Sequence, residues 1–181
     1  MNKDIKLSNL VKDKNVLLVG NSKSLLKKNN AALIDSYEFV IRFNLSIGKL
    51  HKYNIGKKCD AWVFAMCREQ IIKNSYDSAL IKPKVCVRYG APFNIGDVNI
   101  KLDVKKDDVR KEIGIGTDMH PSTGIVVTWY MLNNAEPKSL SLIGFDSFKN
   151  PNFYTSSTNA ASCHNLDAET EYLKRIPATI L

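Results

Sequence analysis

His164 is the side chain of this sequence best fitted to move a proton near neutral pH. Imidazole titrates at about 6.5, between the carboxylates and the amines. It stands in "SCHNLDAETEYLKRI", residues 162–176, where Asp167, Glu169 and Glu171 follow in or near the first turns of a helical pattern. Acids suit that end of a helix. A lone histidine beside a helix start is ordinarily structural or exposed, so a catalytic role needs further polar groups. Three other stretches offer them. "VGNSKSLL" places Gly20, Asn21 and Ser22 after an apolar run. Glycine permits an unusual backbone angle or the close approach of a ligand. The Asn21 amide has a donor and an acceptor face, and Ser22 can cap a helix whose first amides suit an anion. "FVIRFNLS", residues 39–46, carries Arg42 and Asn44 at the end of a buried strand. The strand period of two puts both on one side. Polar groups there need partners, either a structural hydrogen bond or a ribose or base edge. "HPSTGIVVTWYML", residues 120–132, sets Pro121 in a first helical turn and the Ser122 and Thr123 hydroxyls beside Gly124. His120 reads as a surface or capping residue. Taken singly, each stretch is an ordinary turn or helix start.

The elements that must position these groups alternate in type. Strand patterns occupy 16–19, 39–43, 61–64, 84–89 and 139–143, and helical patterns 23–28, 68–75, 124–134 and 167–176. Short apolar strands alternating with helices imply an α/β fold, a Rossmann-like, mostly parallel sheet flanked by helices on both faces. Ligands of such sheets sit outside the carboxyl ends of the strands. That rule singles out Gly20-Asn21-Ser22, Arg42-Phe43-Asn44 and Gly144-Phe145-Asp146. The polar stretch 91–111, with "DVKKDDVRKE", reads as a surface excursion of lower order.

At 181 residues the chain has room for one domain with a substantial core, so residues 1–181 are read as a single domain. No apolar run approaches the ~18 residues that span a bilayer, and the polar N-terminus lacks a signal-peptide core. A cytoplasmic location is the expectation. The formal net charge of +8 favours anionic partners. The lysines are scattered rather than striped with aromatics, which argues against nucleic acid and is compatible with peripheral contact to an acidic membrane. Cys59, Cys67, Cys86 and Cys163 have no metal-ligand spacing and are read as reduced thiols.

Three of the stretches resemble, in order, the sialylmotifs of glycosyltransferase family 29. "VLLVGNS" followed by "IDSYEFVIRFN" resembles the long motif, "PSTGIVVTWYML" with "LSLIGF" the short motif, and "HNLDAE" the very short His-x4-Glu motif. The chain is also similar to the bacterial sialyltransferases of family 42. Gly56–Cys59 matches their Gly-Lys-Lys-Cys step, and Tyr154 stands beyond Gly144 and Asp146 where those enzymes place a tyrosine on the donor phosphate.

The resemblance implies a variant of the GT-A architecture and an inverting, metal-independent transfer of sialic acid, or a related ulosonic acid such as Kdo, from a CMP-sugar. It implies no cofactor and no metal ligands. Gly20, Asn21, Ser22 and Asn44 would line the nucleotide, with Arg42 and Glu169 in support. Ser122, Thr123 and Gly124 would meet the sugar carboxylate or the nucleotide. Gly144, Asp146 and Tyr154 would complete the donor site, and His164 would be the general base. The acceptor would be a glycan such as lipooligosaccharide or capsular glycan. The disulfide that joins the long and short motifs in animal members has Val16 and Ala135 at its positions here. A nucleotide-binding but inactive relative, or another nucleotide-sugar enzyme on the same fold, is the alternative.

Overall fold

The computed structural model describes residues 5–65, 68–146, 149–153 and 163–181. In chain order its elements are α1 (Leu7–Val11), β1 (Asn15–Val19), α2 (Ala31–Asp35), β2 (Phe39–Phe43), β3 (Ala61–Phe64), α3 (Glu69–Asp77), β4 (Val85–Arg88), β5 (Asn99–Lys101), α4 (Lys106–Ile113), α5 (Thr123–Asn134), β6 (Ser139–Ile143), α6 (Leu166–Arg175) and β7 (Thr179–Ile180). Two 3-10 segments, Lys23–Lys27 and Asn44–Lys52, follow β1 and β2.

The seven strands form one sheet in the order β5-β4-β3-β2-β1-β6-β7, every pair parallel. Strand order therefore runs outward in both directions from β1, and the crevice between β1 and β6 is the topological switch point where α/β sheets bind ligands. Parallel strands buried on both faces need continuous apolar sequence. β2 and β3 are buried throughout, and β1 and β6 are buried at all but their first residue. Alternation divides them between two cores. Val16, Leu18, Ile41, Val63 and Leu142 face α1, α4, α5 and α6. Leu17, Val19, Val40, Trp62 and Ile143 face the opposite layer, with Leu25, Ile34, Ile47 and Ile72. No helix among the described residues is long and apolar enough to cross a membrane.

Two expectations need correction. The stretch after β1 is a 3-10 turn rather than an α-helix; Ser22 caps it, its Oγ accepting from the Ser24 amide at 3.0 Å. The stretch 91–111 is not a loose excursion. It supplies β5 and most of α4, and buries Ala91, Ile95, Ile100, Leu102 and Val109. Its charges other than Arg110 occupy the outer face of α4, while Val109 and Ile113, four residues apart, form the inner stripe. Cys59, Cys86 and Cys163 are free thiols, and burial pushes the Cys59 and Cys86 thiols up to about 12.

Candidate active site

A cleft of about 260 Å³ opens at the carboxyl ends of β1, β2 and β6. Asn21 and Ser22 enter it from the end of β1, Phe43 and Asn44 from β2, and Gly144, Phe145 and Asp146 from β6. The start of α5 contributes Ser122, Thr123, Gly124 and Ile125, and the approach to α6 contributes His164 and Glu169. Ten of the residues expected from the sequence thus share one cleft. Two described residues of that set are not among its lining, Gly20 and Arg42. Tyr154 lies outside the described residues.

Gly20 explains itself by packing. A Cβ there would stand 2.3 Å from the carbonyl oxygen of Gly144, and the Gly20 amide donates to Ile143 O at 2.8 Å. The close approach that requires glycine there is to the end of β6. Gly124 is small for a related reason: a Cβ would meet the Phe145 ring at 2.7 Å. Phe145 lies edge-on to Phe43, with ring centroids 6.0 Å apart, so two aromatics line the cleft beneath its polar rim. Gly144 takes a left-handed turn, φ +73°.

Arg42 and Asn44 do not share a side. The strand ends at Phe43, and Asn44 adopts φ +49°, a region asparagine tolerates better than most residues. Asn44 is held from β3: its carbonyl accepts from the Trp62 indole at 2.6 Å, and its Oδ1 accepts from the Ala65 amide at 3.2 Å. Arg42 is fully buried on the other face, donating to Lys58 O at 2.9 Å and Ile55 O at 2.8 Å. Burial lowers its pKa, the cost of a guanidinium that ties down the 55–58 loop. Its support is structural.

Ser22 and Asp146 form a pair. The Ser22 hydroxyl donates to Asp146 Oδ2 at 2.5 Å, and the same oxygen accepts from Asn150 N at 3.2 Å and Nδ2 at 2.7 Å. A bridge from Ser22 to Asn152 continues this seam. Asn150 and Asn152, which sequence reasoning did not select, also line the cleft. Their signal was present in "DSFKNPN", where side-chain amides follow an acid at turn spacing. Asn21 Nδ2 reaches Phe43 O at 3.4 Å, joining the ends of β1 and β2.

Ser122 and Glu169 form the second pair. Glu169 is buried and receives the Ser122 amide on Oε1 and the Ser122 hydroxyl on Oε2, both at 2.7 Å. Burial raises the Glu169 pKa, while these two hydrogen bonds and His164 pull it back. The clamp fastens the start of α6 to the start of α5, where Thr123 and Gly124 line the cleft; amides in the first turn of a helix have no intrahelical acceptor. Such amides suit an anion.

His164 stands just before Asn165, whose side chain caps α6 by accepting from Ala168 N at 3.0 Å. The His164 Nδ1 lies 2.6 Å from the carbonyl of His120. A carbonyl only accepts, so Nδ1 carries the proton and the neutral ring has its basic lone pair on Nε2. That is the tautomer of a general base. No group of three or more His, Cys, Asp or Glu side chains able to hold a metal occurs among the described residues.

Comparison with known proteins bears on what the cleft does. Residues 12–89 match the model of "Glycosyltransferase family 29 (sialyltransferase)", a span that runs from before β1 to just past β4 and includes Asn21 and Asn44. No curated protein matches the sequence. The crystal structure of a mammalian sialyltransferase matches with TM-score 0.58 and 17% identity, covering 93% of this chain and 67% of that one. A mammalian sialyltransferase in complex with Gal-beta-1-3GalNAc-ortho-nitrophenol matches with TM-score 0.57 and 17% identity over the same shares. The chain is thus sialyltransferase-like, similar to glycosyltransferase family 29 in sequence over residues 12–89 and to mammalian sialyltransferases in fold over nearly its whole length.

Proposed function

We propose that this protein is a glycosyltransferase that moves sialic acid, or a related ulosonic acid such as Kdo, from a CMP-sugar to a hydroxyl of a glycan. The observation that carries the reading is the convergence in one switch-point cleft of Asn21, Asn44, Thr123, Gly124 and His164. Asn21 and Asn44 offer amide faces for the cytidine. The start of α5 lines the cleft, and its first-turn amides would stabilise an anionic group there, the sugar carboxylate or the donor phosphate, as fixed donors. His164 Nε2 takes the proton of the acceptor hydroxyl as its oxygen attacks the anomeric carbon. The bond from that carbon to the phosphate oxygen breaks, and CMP leaves with the electron pair. Attack opposite the leaving group inverts the anomeric centre.

The family match supports the CMP-sugar, and the disaccharide held by one matched structure supports a glycan acceptor. The reaction is proposed to need no divalent ion. A surface glycan, lipooligosaccharide or capsular, is the proposed acceptor class. A cytoplasmic location, with the basic surface against an acidic membrane, fits the charge of +8.

The test is release of CMP from CMP-sialic acid and CMP-Kdo by purified protein with a glycan acceptor, in EDTA. Turnover is expected, with loss in a folded His164→Ala variant. Full activity of that variant would remove the base assignment. A thermal-shift panel of CMP, UMP, GDP and NAD separates the alternatives. Stabilisation by CMP without turnover identifies a binding-only relative, and a preference for NAD contradicts the reading.

A further inference from the structure

Arg110 lies on α4, inside the stretch whose charges made it look like an excursion, yet its guanidinium is turned inward and its side chain is only 13% exposed. Each of its three nitrogens makes a hydrogen bond. Nε donates to Met119 O at 2.8 Å, Nη1 to Asp107 Oδ1 at 2.8 Å, and Nη2 to His120 Nδ1 at 3.0 Å. The two residues it grips, Met119 and His120, make up the strap that meets the catalytic candidate. His120 N donates to Cys163 O at 2.7 Å, and His120 O receives His164 Nδ1 at 2.6 Å. A planar fork with fixed donors is therefore linked through one backbone step to the ring of His164.

We propose that Arg110 is a positioning residue for His164. It fixes the 119–120 strap, and the strap fixes both the place and the tautomer of the base. The chemistry of the partners dictates opposite tautomers for the two histidines. A guanidinium only donates, so His120 Nδ1 must be the bare nitrogen and its proton sits on Nε2. A carbonyl only accepts, so His164 holds its proton on Nδ1 and presents Nε2. Lys106, burial, Arg110 and His164 together lower the His120 pKa, the direction that favours the neutral ring whose Nδ1 can accept from the guanidinium. The proposal rests on the reading of His164 as the base, and its function is orientation, the kind of restraint whose loss by about 1 Å can cost about a hundredfold in rate.

The experiment reads the tautomers directly. The chain has three histidines, so long-range proton–nitrogen correlation spectra of the unliganded protein resolve each ring. The wild type should show His164 protonated on Nδ1 and His120 protonated on Nε2. In Arg110→Met both rings should move toward mixed tautomers. With donor and acceptor, kcat should fall about tenfold to a hundredfold while KM for the CMP-sugar holds. Arg110→Lys, which keeps the charge but not the fork, should fall nearly as far. The proposal is overturned if the wild-type rings show the reverse tautomers, if Arg110→Met leaves the His164 tautomer intact, or if Lys restores kcat in full. The spectra need no activity. If His164→Ala retains turnover while the tautomers follow Arg110, the base assignment has failed and the clamp stands.

Discussion

Removing the Glu169 carboxylate should unfasten α5 from α6, and the size of the effect follows from the geometry. Glu169 is 2% exposed and accepts two hydrogen bonds of 2.7 Å, both from Ser122. Hydrogen bonds to a charged group are worth about 1.5–3 kcal/mol each, and a buried donor left without a partner costs about 1–3 kcal/mol. The carboxylate also carries a desolvation cost, visible as its raised pKa, which the substitution would relieve. The net loss in Glu169→Ala is then about 2–4 kcal/mol. For a domain of this size that corresponds to about 4–16 °C in Tm. Glu169→Gln can keep both contacts, its carbonyl accepting from the amide and its NH2 donating to the Ser122 hydroxyl, and should lose less than half as much.

Urea melts followed by circular dichroism across pH give the assay. A folded carboxyl whose pKa is raised binds its proton more tightly than in the unfolded chain. Its contribution is complete below the unfolded value of about 4.3 and is lost as pH rises through the higher folded value. Glutamine does not titrate, so stability of the Gln variant relative to wild type should improve with rising pH over that window. Glu169→Ala melting with the wild type would refute the clamp. So would Gln proving as damaging as Ala.

Three further outcomes follow from the same contacts. Gly20→Ala must push the β6 turn away, because its Cβ would lie 2.3 Å from the Gly144 carbonyl. A loss of about 1–3 kcal/mol in a denaturant melt and weaker CMP binding by calorimetry are expected. Asp146→Ala removes the shared acceptor of Ser22 and Asn150, and hydrogen exchange should accelerate at Ser24 and Asn150 before it does in the sheet. Ile100→Ala should cost about 2–5 kcal/mol, since Ile100 is buried in β5; a change near zero would restore the excursion reading.

The central sheet was legible because parallel strands buried on both faces leave continuous apolar runs; all five strands expected from the sequence are present. β5 and β7, three and two residues long, are edge strands too short to carry a pattern. α4 was hidden because six of its eight residues are charged and only Val109 and Ile113 mark the inner face. The cleft was legible through the strand-end rule, which found Asn21, Asn44 and Asp146 without any knowledge of their partners. Partner choice was not legible. Nothing in "PSTG" shows that Ser122 is taken by Glu169, or in "VIRFN" that Asn44 leaves the strand with positive φ and parts from Arg42. Both depend on contacts with residues distant in sequence. Arg110 was hidden for the same reason, a guanidinium in a charge-rich run whose targets lie nine and ten residues on.

The central claim is that the switch-point cleft holds CMP with its donor bond facing His164. A crystal structure with CMP bound tests it most directly. The account predicts the nucleotide between Asn21, Asn44 and the start of α5, with a phosphate oxygen within hydrogen-bond distance of an amide at Thr123 or Gly124 and the open side of the phosphate toward His164 Nε2. CMP seated elsewhere, or lying in the cleft with its phosphate turned away from His164, would contradict it.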